Sequence, residues 1–207
     1  MIPFDTLSLF FASSVALALA PGPDNIFVLT QSALHGRLSG FLVTLGLCTG
    51  LLVHTAAVSL GVAAIFQTSA LAFNGLKFAG AAYLVYLAWK AFRADAAKLP
   101  DQAGDGLSRR KLYVRGILMN VTNPKVAIFF LAFLPQFANP AQGSLALQML
   151  TLGAIFMFAA LVVFSAIAWA AGYIGDWLKN STRAQNVMNG VAGTVFAGLA
   201  LRLVLSK

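Results

Sequence analysis

Ala20-Pro21-Gly22-Pro23-Asp24-Asn25-Ile26-Phe27 interrupts an apolar run that begins at Phe4 and continues to Leu34. Pro21 and Pro23 lack a backbone N–H, and each ring clashes with a carbonyl one turn earlier, so no helix passes through unbroken. The carbonyls around Leu17 and Leu19 lose their helical partners. Asp24 stands one residue past the break, far from either end of a segment long enough to span a bilayer. Broken backbone carrying a carboxylate is prohibitively costly against lipid, so this stretch must face protein or a water-filled cavity. The pattern is that of a transport site.

The rest of the chain agrees with a bilayer setting. Of its 207 residues 59% are hydrophobic and only 10% charged, against about 25% charged in a soluble domain. The acidic residues are Asp5, Asp24, Asp95, Asp101, Asp105 and Asp176, and the net charge is +8. That excess does not point to nucleic acid, because Lys and Arg gather at the ends of apolar runs, where the positive-inside rule accounts for them. A single cysteine, Cys48, excludes an intrachain disulfide or a CxxC redox pair. Met1 to Leu19 has no basic n-region and no small-residue cleavage site, so no cleavable signal is expected.

Six apolar stretches reach the ~20 residues that cross a hydrocarbon core: 4–34, 40–66, 71–91, 112–134, 145–171 and 187–205. The second carries Gly46-x-x-x-Gly50, which lets helices approach closely. The fourth is broken by Asn123-Pro124. A turn is expected at Gln67-Thr68-Ser69, and residues 172–183 are expected as a short polar link with Trp177 as an interface anchor. The only substantial hydrophilic stretch lies between residues 93 and 111, with Pro100, Gly104 and Gly106 among mixed charges. The organisation expected is a first three-helix unit at 1–93, a linker loop at 94–111 and a second unit at 112–207. One end of the spans collects Arg37, Lys90, Arg93, Lys98, Arg109, Arg110, Lys111, Arg115, Lys179 and Arg183. The other has Arg202, Lys207 and Lys77, so the first end is expected in the cytoplasm and both termini outside.

Segments one and four share a form: an apolar lead-in, a proline break, then an aromatic-rich half-helix. Pro23-Asp24-Asn25-Ile26-Phe27-Val28-Leu29 aligns with Pro124-Lys125-Val126-Ala127-Ile128-Phe129-Phe130. With three segments per half the halves enter from opposite sides, which predicts an all-α fold of six spans as a 3+3 inverted repeat, with spans one and four broken. Matching interrupted spans in two inverted halves point to a transporter's midplane site. The alignment sets Asp24 opposite Lys125, the two most deeply placed charges, of opposite sign.

Three ordered blocks carry a family resemblance: Pro21-Gly22-Pro23-Asp24-Asn25; Lys77-Phe78-Ala79-Gly80-Ala81-Ala82-Tyr83-Leu84; and Asn120-Val121-Thr122-Asn123-Pro124-Lys125 followed by Phe133-Leu134-Pro135-Gln136-Phe137. The chain resembles the lysine-exporter (LysE/RhtB) family over essentially its whole length. The resemblance implies an amino-acid exporter of the bacterial inner membrane, driven by proton motive force. Its compact central loop is closer to the homoserine/threonine branch than to the basic amino-acid branch. No enzyme activity and no cofactor are expected; the partners expected are a small amino acid, protons, the lipid bilayer and a second copy in a homodimer.

The site residues expected to bind substrate or proton are Pro21, Gly22, Pro23, Asp24, Asn25, Asn120, Asn123, Pro124, Lys125 and His54. The unpaired N–H groups at each half-helix start suit a substrate carboxylate, with Lys125 adding to them. The free carbonyls before each break, with Asp24, suit an α-ammonium or a proton. His54 can relay protons or simply satisfy an interhelical hydrogen bond, and the sequence leaves both open. Lys77 reads as a cation whose stem snorkels to the interface, and Phe27, Phe129 and Phe130 as packing. A membrane redox protein would need a cysteine pair or haem-ligating histidines, and His35 sits in a turn beside Gly36. Export of a metal cation would need several carboxylates or thiolates in the membrane, where Asp24 stands alone. A basic amino acid remains an alternative cargo.

Overall fold

Leu17 and Leu19 would pair their carbonyls with the amides of residues 21 and 23, and both of those residues are proline. The first apolar run accordingly folds as two helices, α1 (Phe4–Leu19) and α2 (Pro23–His35), bent by 60°. In this computed structural model, which describes residues 2–62, 70–94 and 107–205, all the regular structure described is helical. Gly36, at φ +84°, is the hinge between α2 and α3 (Arg37–Ala57), a backbone angle that glycine adopts without strain. A π-helical turn, Val58–Val62, ends α3. Next comes α4 (Ala70–Phe92). The expected turn at Gln67-Thr68-Ser69, and most of the expected linker (residues 95–106), lie outside the described residues.

The second broken span is α5 (Arg109–Val121) and α6 (Pro124–Ile128), the latter running into a π-helical turn, Phe129–Phe133, and a 3-10 turn, Leu134–Phe137. The two parts are bent by 48°. Ser108 caps α5 through the amide of Lys111, so the basic triplet starts the helix instead of preceding it. Gln148 then binds the loop back, taking the Asn139 amide at 3.0 Å and donating to the Asn139 carbonyl at 2.9 Å. The last helices are α7 (Leu145–Asn180) and α8 (Thr182–Leu205). The polar link expected at 172–183 is not a loop: α7 runs through Gly172 to Asn180, and Ser181 alone separates the two helices. Isolated polar residues do not stop a helix that has no proline or capping signal before Ser181. Trp177 is not among the residues whose side chains are described.

Four helices are long and apolar enough to cross a membrane, and six spans result if each bent pair counts as one. Phe4, Leu60, Leu71, Trp169 and Leu205 are exposed on the outside, which is where a lipid-facing surface puts large apolar side chains. The core lies between α3, α5, α7 and the two breaks. The α3–α5 crossing is the closest, because glycine faces glycine: a Cβ on Gly46 would strike the Tyr113 carbonyl and come within 3.0 Å of the Gly116 Cα. Gly50 is held against Asn120 in the same way, its built Cβ 2.8 Å from the Asn120 Cβ. Thus Gly46-x-x-x-Gly50 presses α3 onto the lead-in to the second break.

Candidate functional site

The two breaks meet. Lys125, in the first turn of α6, reaches across to the end of α1 and donates its Nζ to the carbonyls of Ala20 at 3.0 Å and Leu17 at 3.3 Å. Leu17 is one of the carbonyls that proline leaves without an amide partner. Asn25 Nδ2 donates to the Ala18 carbonyl at 2.6 Å, so the first break binds its own neighbour as well. The carbonyls before the first break, expected to be free, are therefore taken in this conformation. Membrane-buried carbonyls cannot be left without donors, and the nearest cation fills the gap.

Asp24 is 1% exposed, and its carboxylate lies in the field of Lys125, with the side chains of Asn123, Asn120 and His54 in its neighbourhood. It also sits in the first turn of α2, where a negative charge is favoured by the helix dipole. Asn123 caps α6 by accepting from the Lys125 amide at 3.0 Å, with Pro124 next to it at the helix start. His54, from α3, places Nε2 3.1 Å from the Asn120 carbonyl. A carbonyl only accepts, so Nε2 carries the hydrogen and His54 ties α3 to the second break. The ring also stands 5.6 Å from that of Phe130.

Asp24, Lys125, Asn120, Leu51 and residues of α7 including Phe156 and Phe164 line a cavity of about 10 Å3. That is room for about one water, and far below the roughly 300 Å3 at which small-molecule pockets begin. Four buried polar atoms at the breaks have no hydrogen-bond partner: Asp24 Oδ1, Asn25 Oδ1, Asn120 Oδ1 and Asn123 Nδ2. Orphaned polar atoms are rare in folded interiors. Gly22 contributes space: a Cβ there would lie 3.2 Å from Lys125 Nζ.

Towards the Phe4 end of α1 the site is sealed by aromatic rings. Phe10 packs on Phe137 at 4.9 Å, Phe129 on Phe133 at 4.8 Å and on Phe156 at 5.1 Å, and Phe130 on Phe156 at 5.1 Å. All six rings are buried. Towards the basic end Arg115 lies 4.9 Å over the Phe27 ring, joining α5 to α2. Phe27, Phe129 and Phe130 are thus packing residues on either side of the breaks. Phe10, Phe156 and Phe164 carry no sequence signal, since a Phe inside an apolar run reads only as apolar.

Lys77 departs from its expected role. It is buried, 6% exposed, with Nζ 5.7 Å from the Phe78 ring, and does not snorkel outward. Thr122 bonds back to the Leu118 carbonyl of its own helix and stays outside the site.

Two broken spans meeting at a buried carboxylate and ammonium define a polytopic helical membrane protein organised around an intramembrane polar site. The chain belongs to the LysE type translocator family, whose model matches residues 15–207. It is 36% identical to a homoserine/homoserine lactone efflux protein of Salmonella typhimurium over 90% of each chain. It is 32% identical to an uncharacterized membrane protein of Vibrio cholerae over 96% of each. A leucine efflux protein of an Enterobacter species is 28% identical over 90% of this chain and 89% of its own. No solved structure matches.

Proposed function

We propose that this chain is a secondary active exporter of small neutral amino acids, homoserine, threonine or close relatives, working by proton antiport in the bacterial inner membrane. It is a transporter and not an enzyme. The observation that carries the reading is Lys125 Nζ of one break seated on the carbonyls of the other, beside the buried Asp24. Charge this deep is retained at transport and coupling sites far more readily than for stability, because desolvating an ion pair offsets its Coulombic gain. The names of the relatives, efflux proteins for homoserine, homoserine lactone and leucine, support an amino-acid cargo.

In this reading the substrate's ammonium meets Asp24 and its carboxylate meets Lys125, with Asn25, Asn120 and Asn123 supplying hydrogen bonds. Asp24 carries the proton inward after the substrate leaves. The units 1–93 and 112–207 are an inverted repeat joined by the loop at 94–111, and both termini are periplasmic. The basic end, with the Arg115–Phe27 contact, then faces the cytoplasm, and the aromatic cluster closes the outer path. The test is efflux of labelled amino acids from cells or uptake into inverted vesicles, with and without a proton gradient. Gradient-dependent movement of homoserine or threonine is expected. Movement of cadmium or another metal alone, or of lysine and arginine alone, would replace the reading with one of those cargoes.

A further inference from the structure

Lys125 does more here than a carboxylate-binding cation requires. Its ammonium occupies the end of α1, on the Ala20 and Leu17 carbonyls, where the helix's partial negative charge gathers. Two carbonyls accept from it and the Asp24 carboxylate lies near enough to act on it electrostatically, the setting that any primary ammonium, with three donors and no acceptor, seeks. The α-ammonium of an amino acid has the same chemistry as the Lys125 side-chain terminus. The cavity of about 10 Å3 leaves no room for both at once.

We propose that Lys125 is a tethered stand-in for the substrate's ammonium: it fills the Leu17 and Ala20 carbonyls when the carrier is empty and yields them when an amino acid binds. This rests on the export reading above. On binding, the substrate's ammonium takes the carbonyls and Asp24, and the displaced Lys125 Nζ turns to the substrate's carboxylate. In the returning carrier Asp24 bears the proton and Lys125 holds the two carbonyls, so no buried group is left without a partner and the empty carrier reorients as readily as the loaded one. Without the stand-in, an empty site would bury the Leu17 and Ala20 carbonyls with no donor, and only the loaded form would cross back. Lys125 is therefore what makes net export possible, as opposed to one-for-one exchange. It also sets a substrate rule: cargo must carry a free primary amine.

The test uses the whole protein in liposomes loaded with labelled L-homoserine. Net efflux into amino-acid-free buffer is compared with exchange against saturating external L-homoserine. The wild type is expected to perform both. Lys125→Met, which also removes a substrate contact and so lowers exchange, should cut net efflux about tenfold or more beyond that, read as the ratio of net efflux to exchange. Gly22→Ala keeps every charge but sets a methyl group against Nζ, at a built distance of 3.2 Å. It should lower the ratio of net efflux to exchange by about threefold, and it carries the test should Lys125→Met fail to fold. N-acetyl-homoserine should neither move nor compete. The proposal is overturned by a wild type that only exchanges, by variants whose two modes fall together or not at all, or by transport of the N-acetyl compound. A wild type that moves no homoserine, threonine or leucine in either mode rejects the export reading itself.

Discussion

Asp24 and Lys125 are 1% and 6% exposed, and each is held by the other half of the chain. Neither charge can be removed alone without leaving its partner uncompensated in low dielectric, which costs about 3–5 kcal/mol in buried pairs generally. Asp24→Asn keeps the shape but abolishes the titratable group. It is expected to stop proton-driven export while lowering the yield of folded protein, read by fluorescence-detected gel filtration. The double variant Asp24→Asn with Lys125→Met removes both charges and should recover folded protein without recovering gradient-driven export. Uphill export by the double variant would make the pair structural and remove Asp24 as the coupling residue.

The elements that present this pair depend on close backbone approach. At the crossing of α3 and α5, Gly46 leaves no space before the Tyr113 carbonyl, and Gly116 faces the Val43 carbonyl at a built Cβ distance of 2.5 Å. Backbone cannot yield as a flexible side chain does. Gly46→Leu should therefore drive the helices apart, at a cost of about 1–3 kcal/mol as for overpacked cores, and displace His54 and Asn120 with them. Gly75, on α4, has nothing within 4 Å of a built Cβ, so Gly75→Ala should be silent within about 0.5 kcal/mol. Thermal unfolding of the two variants in detergent compares them; equal midpoints would show that the crossing is looser than these distances. The π-helical turns Val58–Val62 and Phe129–Phe133 touch each other beside the aromatic cluster. Such turns commonly mark functional sites in helices.

At the scale of the whole molecule, the basic residues separate to one end of the spans, and that asymmetry sets the expected orientation. Reporter fusions at Lys207 and at Gly104 should report opposite compartments, with Gly104 in the cytoplasm. The same compartment for both would break the 3+3 topology together with the orientation. The aromatic cluster lies towards the Phe4 end of α1, and in the proposed orientation, with that end outside, export would require the cluster to part. Phe129 is fully buried and touches Phe10, Phe133 and Phe156. Phe129→Ala is expected to cost about 3–5 kcal/mol and to raise substrate leak in liposomes without a gradient; an unchanged leak would place the seal elsewhere.

What the sequence determined by itself follows from local covalent chemistry and from composition. Proline lacks an N–H, so Pro21, Pro23 and Pro124 dictated both breaks. Sustained apolar runs dictated helices crossing lipid, and the scarcity of carboxylates singled out Asp24. Asn123, followed by Pro124, marked a helix start through its capping oxygen. The extent of α7 past Gly172 was not legible, because polar residues alone neither stop nor continue a helix. Tertiary structure alone decided which orphan carbonyls found which donor. Lys125 lies more than a hundred residues from Leu17 and Ala20, and only packing through the Gly46–Gly116 crossing and its neighbours sets its ammonium on them. Packing likewise buried Lys77, whose long stem would otherwise reach water. It also gathered Phe10, Phe129, Phe130, Phe133, Phe137 and Phe156 from three stretches of chain into one seal, since an apolar residue carries no mark of its partner until the helices meet.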